Sequence, residues 1–281
     1  MTDPMIEVGH AWRTEAPAPP RRLALVTGAS NGIGRELTRL LASDGHDLEI
    51  VARDSARLET LARELRDRCR VSVRCFPRDL SEPGASSGLW HDLVAAGREP
   101  DVLVNNAGIG SHGAFSEADP VQLTRMLALN VEALTTLTRL ALPGMRRRRF
   151  GRILNVASLA AHQPGGPGMA AYYASKAYVL SLSMGLAREL KGSGVTVTAL
   201  CPGPTDTGFA EKSEAGGAVL YRWLPRMGPE AVALAGHRGM TRGSEVVNPG
   251  LLTKLLAFAG GLPPRRLLMA VNAWLLKPVR G

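Results

Sequence analysis

Residues 158–176 contain hydroxyl, phenol and amine groups that together could move a proton to or from a carbonyl oxygen. Tyr172 and Tyr173 are adjacent, and Lys176 follows them in a chain that has 29 arginines and only 5 lysines. A free tyrosine titrates near pH ~10, and a nearby ammonium lowers that pKa by stabilising the phenolate. A tyrosine–lysine pair therefore predicts a general acid–base for a carbonyl or a secondary alcohol.

Helical spacing does not decide which tyrosine pairs with the lysine. Tyr172 lies four residues before Lys176 and Tyr173 lies three before it, and both spacings bring side chains onto neighbouring faces of a helix. Ser158, at the end of a predicted strand, would supply the hydroxyl that orients the substrate oxygen, because strand ends in such sheets border the ligand crevice. On the residues alone, both tyrosines remain candidates.

A glycine-rich turn follows the first predicted strand. In "VTGASNGIGREL", Gly28, Gly32 and Gly34 allow the backbone to turn sharply and to approach a ligand closely. The helix that begins near Ile33 would offer its free N–H groups and its dipole to a pyrophosphate. A glycine turn between a strand and a helix, near the start of the fold, predicts a dinucleotide site.

The end of the second predicted strand indicates which dinucleotide is bound. NAD binders of this type usually place an acid there to hold the adenosine ribose. We place Ala52 at that position and Arg53 after it, so the repulsion toward a 2′-phosphate is absent and a guanidinium can pair with that phosphate. The pattern favours NADP(H) over NAD(H). Asp54, one residue further, is the ribose ligand if the register differs.

The elements that must position these residues are strands and helices, which the sequence predicts in alternation along the chain. Short apolar runs predict strands at 23–28, 48–53, 71–76, 101–106, 152–158 and 195–201. Apolar residues at three- and four-residue spacing predict helices at 33–43, 55–69, 119–142 and 169–191. Strands that alternate with helices imply βαβ units, so we predict a single doubly wound, Rossmann-type α/β domain with a mostly parallel sheet and helices on both faces.

Composition excludes several functional classes. The net charge of +9 would suit nucleic acid, but aromatic residues make up only 5% of the chain and leave little material for base stacking. The three cysteines and six histidines show no metal-ligand spacing, so we expect no metal site. The odd cysteine count predicts reduced thiols. Residues 1–20 lack the apolar core of a signal peptide, and we expect a cytoplasmic protein.

The two ends of the chain differ from the domain at 21–247. Residues 1–20 are polar and proline-rich, which predicts a disordered extension. Residues 248–281 predict two short apolar helices that pack on the domain or a partner subunit. The alternative is an interfacial membrane anchor or a lid over an apolar substrate.

The segment 206–245 is expected to hold the substrate. Its apolar side chains would give a lid an apolar face and suggest a hydrophobic carbonyl substrate. They are Phe209, Val219, Leu220, Tyr221, Trp223, Leu224 and Met227.

Seven short motifs occur in order over residues 22–207, and together they resemble the short-chain dehydrogenase/reductase family. They are "TGASNGIG" (27–34), "DL" (79–80), "NNAG" (105–108), Asn130, Ser158, "YYASK" (172–176) and "PGPT" (202–205). The family pattern Y-x-A-S-K selects Tyr172 rather than Tyr173. The spacing from Ser158 to Tyr172 is 14 residues, one longer than we expect, and the Gly- and Pro-rich loop between them would absorb the difference.

The resemblance implies a role for each motif. Tyr172 would protonate the carbonyl oxygen, Lys176 would lower the tyrosine pKa and bind the nicotinamide ribose, Ser158 would hold the substrate oxygen, and Asn130 would position a water. The implied cofactor contacts also include Tyr172 and Lys176. The others are Gly28, Ser30, Asn31, Gly32, Ile33, Gly34, Arg53, Asp79, Leu80, Asn106, Ala107, Gly108, Pro202, Gly203, Thr205 and Thr207.

These observations predict an NADP(H)-dependent ketoreductase that transfers a hydride between nicotinamide and the carbonyl or secondary alcohol of an apolar small molecule. The family implies a homo-oligomer, either a dimer or a tetramer. Two alternatives are a membrane-associated, lipid-modifying reductase that touches a membrane surface through the C-terminal tail, and a catalytically weak dinucleotide-binding sensor.

Overall fold

A computed structural model of the chain describes residues 21–209, 225–261 and 265–276. Its strands form one sheet in which every neighbouring pair is parallel, in the order β3-β2-β1-β4-β5-β6-β7. The strands are β1 Leu23–Thr27, β2 Asp47–Ala52, β3 Val73–Pro77, β4 Val102–Asn105, β5 Gly151–Val156, β6 Val195–Leu200 and β7 Val246–Val247. The order reverses between β1 and β4, which makes the sheet doubly wound and confirms the predicted fold class.

Helices cover both faces of this sheet. They are α1 Gly32–Ser43, α2 Ser55–Cys69, α3 Ala85–Ala95, α4 Pro120–Leu127, α5 Leu134–Arg147, α6 Ala170–Glu189, α7 Pro229–Arg242, α8 Leu251–Gly260 and α9 Arg265–Leu275. Side chains of α1, α2 and α7 share one apolar cluster with the sheet, and side chains of α3 and α5 share another. Burial on both faces explains why the strands are apolar without alternation, as in β1, whose five residues are all buried.

The helix predicted over 119–142 is divided in the structure. Residues Ala128–Ala133 form a π-helical turn between α4 and α5. Helix α5 then continues through Pro143 to Arg147, although proline removes one intrahelical hydrogen-bond donor. Ala141 and Met145 are almost fully buried on either side of Pro143, and this packing compensates for the missing bond.

Strand β3 starts at Val73, two residues later than the strand predicted at 71–76. Its pairing with β2 joins Leu48 to Val73 and Ala52 to Pro77. The proline is tolerated because β3 is the edge strand, where one side of the backbone needs no partner in the sheet.

Two short helices follow the sheet, as predicted for the apolar tail. In the part of the chain that the structure describes, no helix is both long and apolar enough to cross a membrane. The predicted extension at 1–20 and the lid residues Val219 to Leu224 lie outside the described residues.

Candidate active site

A groove runs across the carboxyl ends of the strands, where ligands bind in doubly wound sheets. It consists of two adjoining cavities of about 190 and 440 Å³ that share Gly28, Asn31, Ala107 and Gly108. The larger one also contains Arg53, Asp79 and Leu80, and the smaller one also contains Tyr172, Lys176, Pro202, Gly203, Thr205 and Thr207. Residues from five predicted motifs therefore meet in one groove.

The glycines of the first turn allow an asparagine side chain to bind the turn itself. Asn106 Nδ2 donates to the carbonyl oxygens of Thr27 (3.0 Å) and Gly28 (3.1 Å). A Cβ atom at Gly34 would lie 2.3 Å from that nitrogen, and one at Gly28 would lie 2.7 Å from it. Gly28 also has φ +67°, which favours glycine. These positions therefore exclude side chains, and the turn stays tied to the end of β4.

The N-terminus of α1 borders the groove through Asn31, Gly32 and Ile33. The side chain of Asn31 makes no capping hydrogen bond, and the first turn contains no acidic residue. Free N–H groups and the positive end of the helix dipole suit an anion. Gly32 lies so close to Thr207 that a Cβ atom would be 2.9 Å from the threonine Cβ. The donor set of this turn fits a dinucleotide pyrophosphate.

The end of β2 has the predicted register. The strand ends at Ala52, and Arg53, with 63% of its side chain exposed, follows it in the larger cavity. Asp54 is the N-cap of α2 and accepts a hydrogen bond from the Arg57 backbone N–H at 3.0 Å. The carboxylate that could have held the ribose is thus engaged in capping a helix.

Asp79 belongs to an ion-pair network beside the larger cavity. Its Oδ2 lies 2.7 Å from Arg125 Nη2 and 3.8 Å from Arg53 Nη1, and its Oδ1 accepts from the Ser81 hydroxyl. Burial raises the pKa of this carboxyl, but the hydrogen bonds from Ser81 and Arg125 and the charge of Arg53 outweigh burial and lower the pKa overall. Asp79 is therefore an anion that holds two cations in place.

Lys176 is a buried cation between α6 and the end of β5. Its Nζ donates to the Val156 carbonyl oxygen at 3.0 Å, and the residue is 5% exposed. Burial lowers its pKa from 10.5 to about 8, because removal from water disfavours the charged form. The Nζ lies 5.9 Å from the centroid of the Tyr172 ring. The ammonium therefore lies close to the Tyr172 side chain, within the range of a cation–π contact.

The two tyrosines occupy different positions although both are buried. Tyr172 lines the smaller cavity, and its ring centroid is 5.4 Å from that of Phe209. Among the described residues that line the groove, Tyr173 is not found. Its ring packs edge-on against Tyr172, with centroids 6.4 Å apart, in an apolar cluster with Leu276.

Asn130 connects two segments of the site from the π-helical turn. Its Oδ1 accepts from the Ile109 N–H (3.0 Å), and its Nδ2 donates to the Ile109 carbonyl oxygen (2.9 Å) and the Ser175 hydroxyl (3.1 Å). A Cβ atom at Gly108 would lie 3.1 Å from Asn130 Oδ1 and 3.3 Å from Lys176 Nζ. Asn130 thus fixes the loop after β4 against the helix that bears Tyr172 and Lys176.

Ser158 caps a short 3₁₀ turn at Leu159–His162. Its side chain accepts from the Ala160 N–H at 3.2 Å. The neighbouring Ala157 and Val156 line the smaller cavity, whereas Ser158 is not among the described residues that do. The Leu159 N–H donates to the Pro202 carbonyl oxygen at 2.8 Å, which joins the serine turn to the segment 202–207.

Comparison with known proteins identifies the family. A family model described as short chain dehydrogenase matches residues 22–217, more than half of the chain. The chain belongs to the short-chain dehydrogenase/reductase family. As a member of this family it is an NAD(P)-dependent oxidoreductase.

Several family members resemble the chain over most of its length. Nodulation protein G of Rhizobium sp. (strain N33) is 38% identical over 191 residues, which are 68% of this chain and 76% of that protein. A short-chain dehydrogenase from Sphingobium yanoikuyae in complex with NADPH has a TM-score of 0.76 and 33% identity, and the match covers 89% of this chain and 95% of that one. The bulky-bulky ketone specific alcohol dehydrogenase from Comamonas testosteroni has a TM-score of 0.70 and 31% identity over 80% and 85% of the two chains.

The groove of this dehydrogenase/reductase contains residues that the sequence patterns did not single out. Arg57 and Arg78 line the larger cavity beside Arg53, and Val156 and Ala157 line the smaller one. Arg57 lies one helical turn after Arg53 and Arg78 directly precedes Asp79, so proximity to predicted residues was the available signal. In the described part of the chain, no group of three or more His, Cys, Asp or Glu side chains could hold a metal ion.

Proposed function

We propose that the enzyme reduces a ketone group of an apolar small molecule with NADPH. The observation that supports this most directly is the location of Tyr172 and Lys176 in the smaller cavity, on successive turns of α6, next to the pyrophosphate-type turn. A proton donor and a nucleotide site then share one groove.

In this proposal Tyr172 donates its phenolic proton to the carbonyl oxygen of the substrate. When bound, the nicotinamide supplies the hydride that the carbonyl carbon accepts. The Lys176 ammonium stabilises the resulting phenolate, and its burial strengthens this effect because the surrounding dielectric is low. Asn130 and Ser175 fix the backbone around α6, and Ser158 would orient the substrate oxygen. Water then restores the proton on Tyr172, and the product is a secondary alcohol.

Charge in the larger cavity supports a preference for NADP(H). Arg53, Arg57 and Arg78 all line it. Asp54 is occupied as a helix cap and Asp79 is paired with Arg125, so neither presents an uncompensated charge to a 2′-phosphate. The solved structure from Sphingobium yanoikuyae contains NADPH, which is consistent with this preference.

Apolar side chains around Tyr172 support a hydrophobic substrate. Phe209 lines the smaller cavity, and the adjoining cluster contains Met126, Ala160, Met169 and Leu276. An apolar wall such as the one that Phe209 provides binds ligands mainly by burying their apolar surface. The similar enzyme from Comamonas testosteroni is described as specific for bulky-bulky ketones, and we propose the same broad class here.

The experiment is a turnover assay with a panel of ketones that differ in size, each with NADPH and with NADH. We expect turnover with bulky apolar ketones and a higher kcat/KM with NADPH. Arg53→Ala should lower kcat/KM for NADPH by about 10- to 100-fold while leaving kcat/KM for NADH nearly unchanged, because a charged phosphate contact contributes about 1.5–3 kcal/mol. Equal use of both cofactors by the wild type would contradict the NADP(H) preference.

The exposed face of α8 favours a second candidate, a reductase that works at a membrane surface. Leu251 is 74% exposed and Phe258 is 71% exposed, and helical spacing places both on one face with the exposed Leu255. Residues 248–281 contain five basic residues and no acidic residue, which suits anionic lipid.

Co-sedimentation with vesicles tests this second candidate. We expect the wild type to bind phosphatidylglycerol-containing vesicles more than phosphatidylcholine vesicles, and a Leu251→Ser/Phe258→Ser variant to bind neither. Absence of wild-type binding to both vesicle types would contradict it. A cytoplasmic location and a dimer or tetramer remain predictions, which cell fractionation and analytical ultracentrifugation test.

A further inference from the structure

We propose that the C-terminal helices α8 and α9 complete the active site by holding the loop between Ser158 and Tyr172, with Asn272 as a positioning residue. These helices lie beyond residues 22–217, the part that the family model matches. The catalytic part of this inference rests on the proposed function, whereas its structural part can be tested without turnover.

The loop in question is rich in glycine, which must be ordered when the loop adopts one conformation. Residues 163–168 have the sequence Gln-Pro-Gly-Gly-Pro-Gly, and glycine loses more conformational freedom on ordering than any other residue. Gly165 has φ +134° and Gly168 has φ +80°, conformations that favour glycine. A segment of this kind needs contacts from outside if it is to fix the separation of Ser158 and Tyr172.

Helix α8 supplies contacts to the first half of the loop. Gln163 Nε2 donates to the Leu256 carbonyl oxygen at 3.0 Å. The helix backbone approaches so closely that a Cβ atom at Gly260 would lie 2.3 Å from the His162 carbonyl oxygen. His162 Nε2 in turn donates to Asn248 Oδ1 at 3.0 Å, just before the helix. The turn that Ser158 caps is thus anchored to α8.

Helix α9 supplies contacts to the second half. Asn272 is 6% exposed, and its Nδ2 donates to the Gly165 carbonyl oxygen at 2.8 Å. Leu276, at the end of α9, is 3% exposed, and a Cβ atom at Gly166 would lie 2.4 Å from its Cδ1. The same leucine belongs to the apolar cluster of Tyr172 and Tyr173. The helix end therefore packs between the loop and the catalytic region.

The end of α9 also binds the loop that follows β4. His112 Nε2 lies 3.1 Å from the Leu276 carbonyl oxygen, and the carbonyl must accept, so Nε2 carries the proton. The two loops are joined directly as well, because the Gly113 N–H donates to the Gly168 carbonyl oxygen at 2.9 Å. Helix α9 therefore connects the loop after β4 with the loop between Ser158 and Tyr172, and both loops lie on the substrate side of the groove.

The described contacts of α9 lie away from the nucleotide side of the groove, whereas α8 approaches it at Gly203, where a Cβ atom would lie 2.9 Å from Thr253 Oγ1. Among the described residues that line the two cavities of the groove, none belongs to α8 or α9. Loss of the α9 contacts should therefore disturb substrate positioning and leave NADPH binding intact. Lowered turnover with intact NADPH binding would therefore distinguish this role of α9 from a general destabilisation of the protein.

The experiment compares Asn272→Asp with Met269→Ala in the full chain. The aspartate keeps the size of the side chain but cannot donate to the Gly165 carbonyl oxygen. Met269 lies on the exposed side of the same helix and serves as the matched control. For each protein we would measure hydrogen–deuterium exchange, NADPH affinity by fluorescence, and kcat and KM with a ketone substrate.

For Asn272→Asp we expect exchange about fivefold faster in peptides that span 159–169, and unchanged exchange in β1 and α1. NADPH affinity should stay within about twofold of wild type. The kcat should fall about 10- to 100-fold, because small errors in position lower the rate steeply. Met269→Ala should resemble wild type in every measurement.

Two results would overturn the inference. One is unchanged exchange over 159–169 in Asn272→Asp, and the other is an exchange increase spread over the whole sheet, which would indicate a general structural role. If the wild type reduces no ketone at all, the proposed function fails, but the exchange data and NADPH affinity still decide whether α9 holds the loop.

Discussion

The Lys176 side chain brings a positive charge into a buried position in the wall of the smaller cavity. Its Nζ donates to the Val156 carbonyl oxygen, and burial lowers its pKa to about 8. At pH 7 the folded protein therefore contains a costly buried cation. The difference between 10.5 and about 8 corresponds to a stability loss of about 3 kcal/mol at pH 7.

Replacement of this lysine should stabilise the protein, and the gain should depend on pH. Between pH 8 and 10.5 the folded wild type is neutral at Lys176 while the unfolded chain still binds the proton, so wild-type stability rises with pH. The free energy of unfolding of Lys176→Met should therefore exceed that of wild type by up to about 3 kcal/mol at pH 7. Near pH 10 the difference should be much smaller.

Urea denaturation of both proteins at pH 7 and pH 10 measures this difference. Lys191→Met, at an exposed lysine, is the matched control. An equal pH dependence in the control would contradict burial as the cause.

At the scale of elements, the π-helical turn between α4 and α5 has a clear structural purpose. It contains Asn130, which is 1% exposed and makes three hydrogen bonds to Ile109 and Ser175. The wider turn interrupts a helix that periodicity alone predicts as continuous. It directs one polar side chain inward, toward the loop after β4 and toward α6.

Asn130→Ala should lower the free energy of unfolding by about 1–3 kcal/mol, because the Ile109 N–H and C=O groups and the Ser175 hydroxyl lose a partner. Glu132→Ala, at an exposed position of the same turn, should change stability by less than about 0.5 kcal/mol. Chemical denaturation measures both. A loss as large in Glu132→Ala would show that the turn, rather than the asparagine, determines the effect.

The sequence predicts the elements well where a strong local pattern exists. Continuous apolar runs identify β1, β2, β4, β5 and β6, and the Gly28–Gly34 spacing identifies the first turn. The sequence pattern does not identify helix α3, because two serines and a glycine follow Ala85 in its first turn; burial of Leu89 and Leu93 stabilises the helix instead. Strand β7 has two residues and exists only through its pairing with β6.

The site shows the same division between local and long-range information. Local motifs point to residues that the structure brings into one groove, such as Gly28, Asn106 and Lys176. The contact of Asn272 with Gly165 joins residues 107 positions apart, and no local pattern indicates it. Contacts of this kind depend on how helices that are distant in the chain pack together. A local pattern in a single sequence does not predict which distant residues will meet.

At the scale of the whole molecule, the groove exists because a parallel sheet brings together the ends of strands that are far apart in the chain. The turn after β1, the loop after β4, the end of β5 and the segment after β6 all border it. The larger cavity is lined by the first half of the sheet, and Tyr172, the proposed proton donor, comes from α6. The account therefore predicts that nucleotide binding and proton transfer can be separated by substitution.

The most direct test of the central claim is ketone reduction with NADPH by Tyr172→Phe and Tyr173→Phe, with NADPH affinity measured in parallel. We predict that Tyr172→Phe lowers kcat by about 10²- to 10⁴-fold while NADPH affinity is retained, because only the proton donor is removed. Tyr173→Phe should keep a kcat near that of wild type. A fully active Tyr172→Phe enzyme, or loss of activity in Tyr173→Phe alone, would contradict the account.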